Sequence, residues 1–259
     1  MSGPLIDTNV NLFRWPFRRL PDDEPAALAS RLRAQGVTAA WAGSFEGLLH
    51  NDIAGVNERL AAACAENNLF VPFGSINPLL PDWELDLRRC HEEHKMKGIR
   101  LHPSYHGYTL DSPPFAELLH RASGLGLLVQ IALIMEDERT LHPLMRVPPV
   151  DVTPLPALLR DLPQLELMLI NAFRSIRLEE AKRLAKAGHV AFEISMLEGL
   201  GGLHNLLQQV SIDRILFGSH APFFYFESAA LKLKESALTE EELTLIRSGN
   251  ALKKLKAES

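Results

Sequence analysis

The stretch Leu5-Ile6-Asp7-Thr8-Asn9-Val10-Asn11-Leu12 decides the fold. It is a short apolar run that closes on two carboxamides spaced i, i+2. In an extended strand that spacing puts both side chains on one face. The sequence repeats the idea seven more times: an apolar run ending on a polar residue, then a loop, then a helical pattern. These runs cover 37–42 (closing at Gly43-Ser44), 69–75, 98–102, 127–133, 165–171, 190–195 and 214–220. Helical patterns follow at about 25–35, 51–67, 81–95, 114–123, from Pro154, at 177–187 and at 203–210. Two closing segments come last, the final one starting at Asn250. Pro72 sits awkwardly in the third strand, because proline cannot donate to a central ladder. Eight β-then-α units without a break in composition predict one (β/α)8 barrel spanning residues 1–259. A doubly wound open sheet is the alternative. It is disfavoured because no glycine-rich phosphate loop follows the first strand.

Composition narrows the class of partner. A chain of 259 residues with 46% hydrophobic and 23% charged residues can bury a sizeable core as a single barrel. The formal net charge of −5 gives no reason to expect nucleic acid or an anionic membrane as partner. The expected partner is a small-molecule substrate, with homo-oligomerisation left open. Two cysteines, Cys64 and Cys90, fall inside helical patterns without metal-ligand spacing, which suits buried thiols in a reducing compartment. The first residues show no basic segment leading into a long apolar core, and no apolar run approaches a membrane span, so a cytoplasmic location is expected.

In a barrel of this kind, chemistry gathers at the C-terminal ends of the strands. Those ends offer Asn9 and Asn11, Ser44, Ser75 or Asn77, His102, Gln130, Asn171, Glu193 and His220. Amides, imidazoles and a carboxylate facing one another are costly to bury without a ligand, water or each other.

At these residues the sequence resembles the amidohydrolase superfamily, in its amidohydrolase-2 (amidohydrolase-related) branch of metal-dependent TIM-barrel hydrolases and decarboxylases. The resemblance runs through Ile6-Asp7-Thr8-Asn9-Val10-Asn11, Gly74-Ser75-Ile76-Asn77-Pro78 with Asp82-Trp83, and Lys97-Gly98-Ile99-Arg100-Leu101-His102-Pro103. It continues through Arg214-Ile215-Leu216-Phe217-Gly218-Ser219-His220-Ala221-Pro222-Phe223 and the closing Gly249-Asn250-Ala251. The family implies a divalent metal held by a first-strand His-x-His pair, by histidines ending strands five and six, and by a strand-eight aspartate. Here those positions carry Asn9 and Asn11, Ala132 (with Gln130 two residues earlier on the same face), Asn171 and His220. Three of the four lost histidines are asparagine, which keeps hydrogen-bonding capacity. Neutral amides are poor zinc ligands. No cofactor is therefore expected, and the family's zinc or other divalent metal is the disfavoured alternative.

The resemblance implies an enzyme. The expected activity is hydrolysis of a small polar or carboxylate-bearing molecule, with a lactone or ester favoured because it needs less electrophilic help than an amide. His220 would handle the proton, since imidazole titrates near neutrality. Asn9, Asn11, Arg14, His102, Gln130, Asn171 and Glu193 would line the substrate site. Competing expectations are a ligand-binding barrel without catalysis and a lyase or decarboxylase of the same family. Individual residues have plainer readings too. His102 and His106 can belong to a turn with one buried imidazole, and Arg14, Arg100 and Arg174 can form structural salt bridges. Glu193 and Glu198 either orient His220 or pair with an arginine. The charged, proline-containing segment 135–152, opening with Glu136, Asp137, Glu138 and Arg139, is expected to cover the pocket. Phe223 and Phe224 are expected to wall it.

Overall fold

The computed structural model describes residues 3–137, 139–142, 144, 146–199 and 201–255. Eight strands form one sheet in sequence order, each parallel to the next: β1 (Ile6–Leu12), β2 (Ala39–Ser44), β3 (Phe70–Ser75), β4 (Gly98–Leu101), β5 (Leu128–Ala132), β6 (Glu166–Ile170), β7 (His189–Glu193) and β8 (Ile215–Leu216). The sheet closes on itself. Thr8 N donates to Phe217 O, His220 N to Asn9 O and Asn11 N to Ala221 O, each at 2.8–2.9 Å, so β1 meets the chain leaving β8. Helices follow the strands around the outside, among them Pro25–Ala34, Ile53–Glu66, Pro113–Gly124, Leu178–Ala187 and Phe226–Glu235. This is a single (β/α)8 barrel.

Pro72 fits for a geometric reason. β3 pairs with β2 up to Pro72 and with β4 from Phe73 onward, so the proline lies where the strand passes from one neighbour to the other. β8 is shorter than its sequence pattern. Phe217 N turns away to Ile246 O in the closing helical region, while Thr8 takes up Phe217 O with both its backbone N–H and its hydroxyl. The helices bury one stripe each: Leu28, Ala29 and Leu32 in the first, Phe115, Leu118, Leu119 and Ala122 in the fifth-strand precursor. Each fully buried leucine or phenylalanine among them contributes about 1.5–3 kcal/mol.

The barrel floor is apolar. Ile6, Trp41, Phe73, Leu128, Met168, Ala191 and Leu216, one from nearly every strand, form a single buried cluster, with Trp41 stacked on Phe73 at 5.1 Å. Strict alternation from Ile6 would turn Asn9 and Asn11 away from this interior. The β1–β2 register slips between Asp7 and Val10, and an irregularity of that kind re-aims the side chains beyond it. That slip brings both asparagines onto the barrel axis. Cys64 and Cys90 are buried free thiols, and burial pushes both up to about 12. No helix among the described residues is long and apolar enough to cross a membrane.

Candidate active site at the barrel mouth

Above the apolar floor lies a layer of polar side chains with almost no solvent contact. Asn9, Asn11, Arg100, His102, Gln130, Asn171, Glu193 and His220 are all at most 1% exposed. The structure thus brings six of the seven expected substrate-lining residues together with His220. The exception is Arg14. It stands on the exposed rim paired with Glu24 at 2.7 Å, where it lines a groove of about 640 Å³ with Phe13, Leu49 and His50. None of the interior polar residues lines that groove.

The interior layer has two halves. In one, Glu193 accepts four hydrogen bonds: from Asn171 N at 2.6 Å, Asn9 Nδ2 at 3.2 Å, Ser195 Oγ at 2.8 Å and Ser195 N at 2.5 Å. Asn9 Nδ2 also donates to Asn171 Oδ1 at 2.8 Å, and Asn171 Nδ2 to Ile134 O at 2.8 Å. Burial raises the Glu193 carboxyl against the pull of these donors. Gly218 makes room for it, since a Cβ there would stand 2.6 Å from Glu193 Oε2. Asp7 takes hydrogen bonds from Ser219 N, Ser219 Oγ and Asn9 N at the β1–β8 seam. Burial nevertheless pushes it up to about 7.

In the other half, Arg100 crosses the barrel from β4. Its Nε donates to Gln130 Oε1 at 2.8 Å. Its Nη1 donates to Val10 O at 2.7 Å and Asn11 Oδ1 at 2.9 Å, and its Nη2 to Trp41 O at 3.2 Å. Gln130 uses its amide nitrogen on Thr8 O at 3.0 Å. Every acceptor around the guanidinium is neutral, and burial lowers Arg100 to about 9.

His220 caps the axis in a left-handed conformation (φ 59°). Its Nε2 lies 2.8 Å from Met135 O, and a carbonyl can only accept, so Nε2 carries the proton. Nδ1 is left as the acceptor, 3.5 Å from Asn11 Nδ2. Burial lowers the imidazole to about 4, so it is neutral at pH 7. Phe223 stacks on the ring at 5.1 Å and Phe224 meets it edge-on. Trp15 packs edge-on against Phe45, Tyr105 and Phe223 to complete a roof. Arg18 fastens that roof, lying over Phe223 and pairing with buried Glu136 at 2.7 Å. A space of about 20 Å³, room for one water, is lined by Tyr105, Ala132, Met135 and Glu136 among others. The start of the 135–152 segment thus meets His220 through Met135 and Arg18 through Glu136; Glu138 lies outside the described residues.

The corner beside β3 and β4 is built differently. His102 has no partner on either ring nitrogen, although it is 1% exposed. Its ring lies 6.0 Å from that of His106, whose Nε2 donates to Gly47 O at 2.7 Å and whose Nδ1 has no partner. Tyr108 OH and Ser75 Oγ, on the same side, are likewise unpartnered. His102 is pulled well below its usual range by burial, and then by the nearby His106, Arg100 and His220.

Several functional atoms escape a strand-end reading. Asp7, Ser195 and Ser219 read as ordinary strand or turn residues, and the Met135 and Ile134 carbonyls carry no side-chain signal. Ser44 caps the following turn through Glu46 N, and Asn77 accepts from Leu79 N, which leaves Ser75 as the inward residue of its strand. Arg174 pairs with Asp137 and Glu198, so Glu198 serves an arginine rather than His220.

The residues present do not fit a divalent metal. The amide oxygen of Asn11 is taken by a guanidinium, that of Asn171 by the Asn9 amide, and His220 presents its proton to a carbonyl. Among the described residues, no group of three or more His, Cys, Asp or Glu could hold a metal ion.

The fold has well-matched counterparts. 5-Carboxyvanillate decarboxylase from Sphingomonas paucimobilis superposes with a TM-score of 0.76 at 14% identity, covering 98% of this chain and 99% of that one. The enzyme of the same name from Novosphingobium aromaticivorans, solved with bound manganese, gives 0.75 at 15% identity, covering 97% of each. 4-Oxalomesaconate hydratase from Rhodopseudomonas palustris gives 0.69 at 14%, covering 98% and 96%. No curated protein sequence matches the chain. The amidohydrolase family model matches residues 14–256, nearly the whole barrel. The chain belongs to the amidohydrolase family.

Proposed function

We propose that the protein is a small-molecule enzyme that hydrolyses a lactone or ester at the barrel mouth without a divalent metal. One juxtaposition supports this reading. A neutral, oriented imidazole on the axis, His220, lies within electrostatic reach of a second buried imidazole, His102, that has no partner on either nitrogen. Burying such a group unpaired costs about 1–3 kcal/mol, which a bound oxygen-bearing ligand or water would recover.

The substrate enters when the 135 segment and Phe223 withdraw, which frees His220 Nε2 from Met135 O. The unprotonated Nδ1 of neutral His220 then accepts a proton from the attacking water as that water adds to the carbonyl, and returns it to the leaving oxygen. His102, Ser75 and Tyr108 bind the ligand's oxygens. Asn9 contributes its unpartnered Oδ1. Asn11, Gln130, Asn171 and Glu193, already bonded to one another or to Arg100, hold this arrangement in place. Arg14 on the rim is placed to meet a carboxylate on its way in.

Decarboxylation is the second reading. The roof of Trp15, Tyr105 and Phe223 suits a planar acid, and two of the structural counterparts are named as decarboxylases of an aromatic acid. A screen of lactones, esters and aromatic carboxylates tests both. Hydrolysis incorporates oxygen from labelled water into the acid product and releases a proton. Decarboxylation takes up a proton and releases carbon dioxide. Binding in the screen without either product would leave a ligand-binding barrel.

A further inference from the structure

The charge at the centre of the barrel is supplied by the chain itself. Arg100 is fully buried, yet its guanidinium touches no carboxylate. Its four acceptors are neutral oxygens: two from β1 (Val10 O and Asn11 Oδ1), one from β2 (Trp41 O) and one from β5 (Gln130 Oε1). A cation ringed by neutral oxygens from three strands and tethered to a fourth is organised like a coordination shell. Two of those oxygens belong to Asn11, at a first-strand metal position, and to Gln130, beside the fifth-strand one. The space is prepared from across the barrel. A Cβ on Gly43 would lie 2.8 Å from both Arg100 Cδ and Nη1, so only glycine leaves the path open.

We propose that Arg100 is a built-in cation that takes the place of a divalent metal in this barrel. It ties β1, β2 and β5 to β4, and it excludes metal even where ligating histidines are available. The guanidinium suits the task because its five N–H groups are fixed in a plane and its charge is weakly hydrated. The buried carboxylates Glu193 and Asp7 offset its charge at a distance, since each raises its pKa without contacting it. The inference holds whether or not the barrel turns over a substrate.

Three measurements test it without relying on activity. In the unaltered protein, the Arg100 Nε–H should give a slowly exchanging NMR signal, and dialysis against a chelator should leave Tm unchanged. Exchange as fast as that of a surface arginine such as Arg14, or a fall in Tm on chelation, would overturn the proposal. Arg100→Ala should lose about 10 °C or more in Tm. Guanidinium chloride or ethylguanidinium at millimolar concentration should recover part of that loss, whereas equal urea should not. Wild-type stability in the variant, or equal recovery by urea, would contradict it. Lastly, Asn9→His/Asn11→His/Asn171→His should bind little zinc with Arg100 in place, and about one equivalent once Arg100→Met is added. Full zinc binding with Arg100 intact would show that the guanidinium does not hold the metal's place. If the variants fail to fold, the NMR and chelator results on the unaltered protein decide alone.

Discussion

Two groups of buried polar residues share the top of this barrel and differ in how they are satisfied. Around the axis, Arg100, Gln130, Asn11, Asn171 and Glu193 have given nearly all their hydrogen bonds to one another or to strand carbonyls. At the β3–β4 corner, His102, His106, Tyr108 and Ser75 leave five buried polar atoms without a partner. Buried polar groups in folded proteins are paired almost without exception. The satisfied network behaves as scaffold, and the unsatisfied corner is the proposed ligand site. The bonded axis is thus distinct from the corner at its edge, where the proposed ligand site lies.

Substitutions should separate the two regions sharply. Arg100→Met strands four neutral acceptors and should cost about 3–5 kcal/mol in urea unfolding, as breaking a buried charged network does. A loss below about 1 kcal/mol would mean the axis is not scaffold.

A pH titration probes the axis less drastically. The unfolded His220 takes a proton near the ordinary 6.5 and the folded one only near 4. Between those values the unfolded state binds more protons, so stability is full above the window and falls as pH drops through it. The whole effect amounts to about 3 kcal/mol. Asp7, raised from 3.8 to about 7, acts in the opposite direction over its own window, because its folded form keeps the proton. Comparison of wild type with His220→Gln isolates the histidine. The variant should show a flatter loss between pH 6.5 and 4, and an identical slope would contradict the buried neutral imidazole.

The corner should respond in reverse. His102→Phe removes no hydrogen bond the protein makes, so stability should change by no more than about 1 kcal/mol while ligand binding is lost. A large destabilisation would place His102 in the scaffold. Tyr108→Phe is the mildest of the set. It should leave unfolding unchanged within about 0.5 kcal/mol and weaken ligand affinity only.

Much of this was legible in the sequence because barrel geometry is periodic. Eight apolar runs with polar ends sufficed for the architecture, and their closing residues His102, Gln130, Asn171, Glu193 and His220 share one interior, which Asn9 and Asn11 join through the slipped register of β1. Arg14 stands apart from that interior because it follows β1 in a loop, where periodicity gives no direction; it pairs with Glu24 on the rim. The role of Arg100 was hidden for another reason. It reads as a substrate clamp or salt-bridge partner, whereas its partners include main-chain carbonyls that any sequence could supply. The one trace of it is Gly43, a small residue at the level its side chain crosses. The Met135 carbonyl that fixes His220 left no trace at all. Nor could alternation alone have aimed Ile6 and Asn9 into the same interior, since that depends on the slipped register of β1.

The most direct test of the whole account is a crystal structure of the protein soaked with small lactones, esters and aromatic acids. Ligand oxygens should appear within hydrogen-bonding distance of His102, with Tyr108 or Ser75 as a second contact, and Arg100 should remain on Asn11 and Gln130. A ligand or metal seated among Asn9, Asn11 and His220, with the guanidinium swung away and His102 still unpartnered, would contradict it.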